Sequence, residues 1–306
     1  MRIVETLGIT EDVEFVDIDS ERDVPLFAQP AMIRRDSRSG DSDARMAMES
    51  IQSFDRHCFA LARMGDAHSL LRVEHDLQRF NEPKECGLGY AKESNSGKGS
   101  SEKLGTELSK SFNTYRMQVQ VGLMDRLECL AALTWGIAKD RISDMVLKLA
   151  RPALYEFTQR MCKKYLEIGS LPTKEIELEV WDVRNEDWTN VNYTLPVFHG
   201  NPVLLVPKRW TWKSLCFSRG SFYSVTILGE VQRRKTTVLD GKQVRPLKKQ
   251  LRERYPKSEK IFTEEPQRAF DEYALNLYEQ HLQYVDDEYI PNAIEKHGDG
   301  VWDIDR

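Results

Sequence analysis

The amino-acid sequence predicts an α+β fold, in which a mixed β-sheet packs against long helices and a smaller, mostly helical part follows. Two stretches, 42–64 and 140–168, repeat apolar residues at the spacing of one helix face. Residues 175–183 alternate apolar and acidic side chains, which indicates a strand with one buried face. Residues 203–206 are continuously apolar, which is typical of a strand inside a sheet.

The N-terminal elements follow from short local patterns. Residues 13–19 alternate apolar and acidic side chains and predict a strand, and residues 26–28 predict a short extended segment between two prolines. Asp41 or Ser42 is positioned to cap the first long helix, and Gly65 is positioned to end it. A second, shorter helix is expected over 69–80.

The stretch 81–105 is rich in Gly, Ser and Lys and poor in bulky apolar residues, so we expect a long loop. Its backbone amides could bind phosphate, with Lys92 or Lys98 adding positive charge. It is not a Walker A loop, because no glycine lies five residues before Gly97. The alternative interpretation is a mobile surface loop without a ligand.

Pro152 lies inside the long helical pattern and predicts a kink or a break there. Residues 124–135 indicate a buried helix or strand. We place a first, α+β domain at 1–213 and a mostly helical part at 214–306.

In that C-terminal part, residues 222–232 fit either a helix or a strand. Asp240-Gly241 predicts a tight turn, and residues 247–255 predict a basic helix. Residues 266–284 predict one long amphipathic helix.

The net charge of −5 conceals two blocks of opposite sign. Residues 231–260 carry 11 Lys and Arg against 3 Asp and Glu, and residues 264–306 carry 3 against 12. Either the acidic tail folds back and neutralises the basic segment, or the basic segment faces phosphates while the tail faces solvent or a partner.

Composition excludes several classes of protein. The five cysteines are scattered without a Cys-x-x-Cys pair, so neither a zinc knuckle nor a disulfide framework is expected. No apolar run approaches the length of a membrane helix, and the N-terminus does not resemble a signal peptide. We therefore expect a cytoplasmic protein that makes no contact with a membrane.

Two acidic pairs are candidate metal ligands, and Mg²⁺ is the ion that such oxygen ligands would hold. Asp140 and Asp144 lie one helical turn apart near a helix start. The simpler interpretation is that Asp140 caps this helix and Asp144 complements its dipole. Asp17 and Asp19 could bind a metal in a turn. No cofactor is otherwise predicted.

A complete nuclease site is not recognisable. Such sites need an acidic residue on one strand and Glu/Asp-x-Lys on the next. Glu-x-Lys occurs once, at Glu82-Pro83-Lys84, where the proline would disrupt a central strand. Asp240-Gly241-Lys242 has the required residue types but predicts a turn.

Cationic residues give the clearest candidates for contacts with nucleic acid. Lys208 and Arg209 precede two tryptophans, a combination that suits a phosphate backbone with stacked bases and equally suits an ordinary packed surface. The basic segment is the stronger electrostatic candidate. Its candidate contacts are Arg233, Arg234, Arg245, Lys248, Lys249 and Arg252.

Five short motifs follow one another along the chain. They are Asp17-Ile18-Asp19, Asn81-Glu82, Gly87-Leu88-Gly89-Tyr90, Asp140-Arg141-Ile142-Ser143-Asp144 and Leu204-Leu205-Val206-Pro207-Lys208. In this order they resemble the motifs of poorly characterised bacterial defence and restriction-type proteins, over most of residues 13–275. Longer members of that group carry a C-terminal restriction-endonuclease-like domain with an Arg-x-Ile-Asp strand and a Glu-Cys-Lys strand, and this sequence has neither. The resemblance therefore implies the N-terminal module of such a protein without its cutting domain.

Three hypotheses of function follow. The first is a binding or sensing module for nucleic acid in an anti-phage or restriction-type system, not catalytic alone, acting with an effector nuclease or ATPase subunit. The second is a metal-dependent hydrolase of phosphodiesters or nucleotides that uses Asp140, Asp144 and Lys208. The third is an assembly subunit whose acidic C-terminal helix binds a protein partner. The oligomeric state is left open.

Overall fold

A computed structural model of the chain describes residues 1–88 and 97–297. It confirms the α+β class with a helical C-terminal part. The helices are α1 (Ile3–Leu7), α2 (Pro30–Arg38), α3 (Ser42–Met64), α4 (Ala67–Leu77), α5 (Gly97–Thr114), α6 (Arg116–Gln120), α7 (Leu127–Leu133), α8 (Lys139–Leu149), α9 (Arg151–Lys164), α10 (Leu166–Gly169), α11 (Arg219–Ser221), α12 (Leu228–Arg234), α13 (Lys248–Arg254), α14 (Ile261–Tyr273), α15 (Leu277–Tyr284) and α16 (Ile290–His297). Two π-helical segments, Phe222–Ile227 and Val285–Tyr289, precede α12 and α16.

The strands form small antiparallel sheets in the described residues, not the mixed sheet that the sequence predicts. The largest orders β2, β3 and β4 side by side, and its β2 confirms the strand predicted at 175–183. The long strand β3 was not predicted. The strands are β1 (Phe27–Ala28), β2 (Thr173–Asp182), β3 (Asp187–Phe198), β4 (Asn201–Pro202), β5 (Thr211–Trp212), β6 (Thr237–Leu239) and β7 (Lys242–Val244).

The apolar run 203–206 is buried but is not a strand, so that prediction is wrong. Its backbone groups bond to four separate parts of the chain instead of to one neighbouring strand. The amides of Val203, Leu204 and Leu205 donate to Pro196 O (2.9 Å), Glu85 O (2.8 Å) and Thr158 Oγ1 (2.9 Å). Val206 O accepts from the amide of Val16 at 2.9 Å. Continuous burial requires only that these groups be satisfied, not that a sheet satisfy them.

The predicted helix boundaries in the N-terminal half are confirmed where a cap specifies them. Asp41 caps α3, because its side chain accepts a hydrogen bond from the Ala44 amide at 2.8 Å. Gly65 ends this helix with φ +70°, a left-handed conformation that glycine adopts without strain. The predicted break lies at Ala150, and Pro152 occupies the first turn of α9, where it costs no hydrogen bond.

Three further expectations are corrected. Residues 13–19 make single bridges, such as Phe15 to Pro207, and form no strand. Residues 97–105 of the expected loop belong to α5. The single helix expected over 266–284 is two, because Ala274 turns the chain with φ +54° and Asn276 caps α15. The side chain of Asn276 accepts hydrogen bonds from two α15 amides, and a new cap of this kind begins a new helix.

The largest cluster of buried apolar side chains continues from α3 and α8 into the C-terminal helices, so one core serves both parts of the chain. Within it, His281 lies 3.0 Å from Ser221 Oγ and 2.7 Å from Thr226 Oγ1. Burial lowers the pKa of His281 to about 4, which keeps the ring neutral near pH 7. Among the described residues, no helix is both long and apolar enough to cross a membrane.

Candidate nucleic-acid interface

The predicted basic segment folds into the end of α12, the hairpin β6–β7 and α13. Asp240 and Gly241 form the hairpin turn with φ +48° and +74°, the left-handed pair that a type I′ turn requires. This confirms the predicted turn. Leu251 of α13 is buried beside α12, and Gln232 donates to Pro246 O at 2.8 Å. The hairpin is thereby fixed at its base, while both of its strands remain exposed.

Eight cations along this segment are exposed and make no ion pair with any described residue. They interleave with only three acids, Asp240, Glu253 and Glu259. We call residues 235–260 the basic hairpin surface. Clustered, unpaired cations are the electrostatic signature of a surface that binds phosphates. The eight are Lys235, Lys242, Arg245, Lys249, Arg252, Arg254, Lys257 and Lys260.

The same surface exposes apolar side chains. Val238, Leu239 and Leu247 are 68%, 61% and 65% exposed, and Val244 is 44% exposed. In the hairpin register Leu239 pairs with Lys242, so apolar and cationic side chains share one face. Exposed apolar groups beside cations suit contact with a ligand that has both charged and flat apolar parts.

Two of the residues predicted to contact nucleic acid form ion pairs within the protein instead. Lys208 lies 2.7 Å from Asp12, and Arg209 pairs with Asp36 at 2.8 Å and with Asp41. These cations, which the sequence offered for phosphate contact, instead hold neighbouring segments together. Lys92 lies outside the described residues, and so does the side chain of Lys98.

Within the basic segment itself, three of the predicted contacts are also used by the protein. Arg233 lies 2.8 Å from Glu230 and above the ring of Tyr273. Arg234 is mostly buried and pairs with Glu230 and Glu265. Lys248 donates to Ser224 O at 2.7 Å. Of the predicted set, Arg245, Lys249 and Arg252 remain as exposed cations without an ion pair in the described chain.

The acidic pair near the N-terminus organises the chain start. Asp17 accepts a hydrogen bond from the Val4 amide at 3.0 Å, which fixes α1. Asp19 lies 2.9 Å from the N-terminal ammonium and also accepts from the Glu21 amide. The hydrogen bond from the ammonium holds the pKa of Asp19 down at about 2.

The second acidic pair lies in the first turns of α8. Asp140 accepts a hydrogen bond from the Arg141 amide at 3.0 Å, and the guanidinium of Arg141 lies 3.8 Å from Asp144. Burial raises the pKa of Asp144 to about 7. The described residues contain no group of three or more His, Cys, Asp or Glu side chains that could hold a metal ion.

The acidic tail folds back, but mainly onto cations outside the basic hairpin surface. Asp286 lies 2.8 Å from Arg34 and 3.0 Å from Arg38, both on α2. Glu279 lies 3.4 Å from Arg126. Glu265 is the tail residue that neutralises part of the basic segment, through Arg234. The interpretation that the tail folds back and neutralises the basic segment therefore holds for Arg234, while contact of the remaining cations with phosphates stays a prediction.

The polar motif at Asn81 belongs to a buried ion-pair network. Lys148 on α8 is fully enclosed, and its ammonium donates to Asn81 Oδ1 at 2.7 Å, to Glu179 at 2.6 Å and to Arg79 O. Arg151 adds contacts to Glu85 and to Glu179 O, both at 2.7 Å. Burial lowers the pKa of Lys148 to about 8 against the pull of Glu179. We call this set the Lys148 network.

Sequence reasoning did not single out the remaining exposed cations of the surface. Lys235, Lys242, Arg254, Lys257 and Lys260 were counted in its charge but not named as contacts. The available signal was spacing from acids, since four of the five, all except Lys257, have no acidic residue three or four positions towards the N-terminus. Arg233 and Arg234 each have one, at Glu230.

Comparison with known proteins adds one relationship. Residues 6–217 match the family described as a domain of unknown function, DUF8370. No curated protein and no solved structure matches the chain. The matched segment covers more than half of the sequence and ends before the basic hairpin surface. The chain therefore belongs to the DUF8370 family.

Proposed function

We propose that this protein binds nucleic acid through the basic hairpin surface and is not itself the cutting component. The observation that carries the proposal is the row of eight exposed cations from Lys235 to Lys260, none of which makes an ion pair with a described residue. Such cations replace counterions on a phosphate backbone, and the released counterions supply the free energy of binding. The exposed side chains of Val238 and Leu239 add apolar surface beside these cations, which suits contact with bases as well as phosphates.

The test is binding of double-stranded and single-stranded oligonucleotides, measured by fluorescence anisotropy at about 50 mM and about 200 mM salt. With four to six phosphate contacts, the logarithmic salt slope of the affinity should be about −4 to −5 for the double-stranded probe and about −3 to −4 for the single-stranded one. No binding to either probe at the lower salt concentration would reject the proposal.

A double variant that reverses two charges tests whether nucleic acid binds at the basic hairpin surface. Lys249→Glu with Arg252→Glu should weaken binding at least about tenfold and should flatten the salt slope by about 2. The matched control is Lys174→Glu with Arg184→Glu, which reverses the same charge at two exposed cations of the β2–β3 hairpin. If both double variants lose the same affinity, binding is not localised at the basic hairpin surface.

We propose in addition that this binding serves a bacterial defence or restriction-type system in the cytoplasm, with catalysis on a partner chain. Support comes from the resemblance of the sequence motifs. Co-purification from the native host, followed by identification of the bound proteins, tests it. Recovery of a nuclease or an ATPase subunit would support the setting, and recovery of the chain alone would count against it.

Protein assembly is a second candidate function, because four apolar side chains of the hairpin region are exposed. Val238→Ser with Leu239→Ser removes apolar surface without changing charge. If the hairpin binds a protein partner, this variant should lose the partner and keep most of its salt-dependent binding of nucleic acid. If nucleic-acid binding falls instead, the apolar residues contact bases.

A further inference from the structure

A cavity of about 230 Å³ lies among α2, α3, α7 and α8, on a different part of the molecule from the residues of the basic hairpin surface. An engineered protein cavity of about 150 Å³ holds benzene, so this one has room for a somewhat larger molecule. Its walls are largely aliphatic and thioether groups. They are Met48, Ile51, Ile142, Met145, Val146 and Leu149.

One carboxyl group in the wall has an unused oxygen. Asp55 is only 7% exposed, and its Oδ1 accepts a hydrogen bond from the Leu127 amide at 3.1 Å. In the described part of the chain nothing donates to its Oδ2. Oδ2 keeps some exposure and belongs to a side chain that lines the cavity, so a ligand that supplies N–H groups can donate to it.

A second carboxylate at this end of the cavity also has an oxygen without a donor. Glu128 uses Oε2 to accept from Arg34 at 2.9 Å, while its Oε1 is buried without a hydrogen-bond partner among the described residues. Arg34 is already committed to Glu128 and to Asp286. Arg126 is likewise committed, to Glu279 at 3.4 Å and Asp125 at 3.8 Å.

We propose that this cavity binds a small organic cation, a primary amine with a compact apolar body. The ammonium would donate to Asp55 Oδ2, and the body would pack against Met48, Ile142 and Met145. The exposed residues Gln52 and Arg56 mark the side from which a ligand enters. An ammonium offers three donors, so it can satisfy acceptors that no side chain reaches.

The proposal predicts that the affinity of the cavity for the amine depends on pH. Burial raises the pKa of Asp55 to about 7, with a further rise from the charges of Glu128 and Asp125 and a drop from Arg126. Arg34 and Arg56 also line the cavity. An ammonium requires the ionised carboxylate, so binding should release a proton near pH 7 and strengthen as the pH rises through that value.

The experiment is isothermal titration calorimetry of the full chain with benzylamine at about pH 6 and about pH 8, where a carboxyl of pKa near 7 ionises almost tenfold more at the higher pH. We expect about tenfold tighter binding at the higher pH, with proton uptake by the buffer at the lower. Benzyl alcohol and benzoate, which match the apolar body, should bind at least about tenfold more weakly. Equal or tighter binding of either analogue would overturn the proposal.

Two variants test whether benzylamine binds at Asp55. Asp55→Asn keeps an oxygen for the Leu127 amide but carries no charge, so benzylamine should bind about tenfold to hundredfold more weakly and lose its pH dependence. Asp144→Asn is the matched control, because Asp144 is also a buried carboxyl with a raised pKa but does not line the cavity. Unchanged binding by Asp55→Asn would overturn the proposal. The analogue series on the natural sequence decides the matter if that variant does not fold.

Discussion

Around Lys148, lysine and arginine side chains are buried against carboxylates and carbonyls, whereas along β6–β7 and α13 the same residue types are exposed without acidic partners. In the first region each cation donates to two or more acceptors of the protein itself, so it is not available to a ligand. In the second the acceptors are missing from the described chain. Cation content alone therefore does not locate a binding surface, because the acidic residues nearby determine which cations are available to a ligand.

The largest effect on the free energy of unfolding is expected when a buried cation is removed. Arg34→Met removes the cation between Glu128 and Asp286, whose side chains are 8% and 7% exposed. Leaving two buried carboxylates without their arginine should lower the free energy of unfolding by about 3–5 kcal/mol. Urea denaturation measures it. Arg38→Met is the control on the same helix, since Arg38 pairs with Asp286 but is 59% exposed, and should cost less than about 1 kcal/mol. Equal losses would contradict the distinction.

The next effect concerns ionisation. Burial raises the pKa of Asp144 to about 7, so the folded state binds this proton more tightly than the unfolded state. Stability from this group is therefore full at low pH and is lost as the pH rises to about 7. Between about pH 5 and about pH 8 the natural protein should lose roughly 2 kcal/mol more than Asp144→Asn does.

The comparison must be made between variant and natural protein, because His281 acts in the opposite direction over part of this range. Its lowered pKa contributes stability above pH 6.5 that is lost as the pH falls. Identical pH profiles for the two proteins, measured by urea denaturation, would show that Asp144 does not titrate as described.

A smaller effect is expected at Asp41, which both caps α3 and pairs with Arg209. Asp41→Ala should cost about 1 kcal/mol, because the Ala44 amide loses its side-chain acceptor. Asp41→Ser keeps a capping oxygen but not the charge, so the difference between the two variants isolates the cap from the ion pair. Thermal unfolding of both variants gives the answer, and equal losses would assign the whole effect to the ion pair.

The smallest effect is expected on the exposed side. Lys249→Glu with Arg252→Glu should change the free energy of unfolding by less than about 0.5 kcal/mol, because neither cation makes an ion pair with a described residue. A loss above about 1 kcal/mol in urea denaturation would mean that these side chains support the fold and would weaken their assignment to a ligand.

Local signals in the sequence were sufficient for elements whose boundaries a single residue specifies. Helix capping, the fixed φ of proline and a left-handed φ are properties of a residue and its immediate neighbours. The predictions for Asp41, Gly65, Pro152 and the Asp240-Gly241 turn were therefore correct. The strand β2 and the helix α13 likewise follow from their patterns.

Elements that depend on distant partners were missed. The strand β3 carries Asn and Thr among its apolar residues, and it is determined by pairing with β2 over residues 187–196 and with β4 at its end. At the candidate interface the sequence predicted the charged segment. It could not show that Arg234 is taken by Glu265, 31 positions away, while Lys249 stays exposed. That division depends on tertiary packing.

The segment 203–206 has a consequence for the order of assembly. Its hydrogen bonds join it to Val16, Glu85, Thr158 and Pro196, groups from almost the whole length of the family domain. During synthesis these four hydrogen bonds cannot form until residue 206 has left the ribosome, and contacts between distant positions form slowly. Truncation before this segment should therefore leave the four groups without these partners and yield an insoluble product on expression.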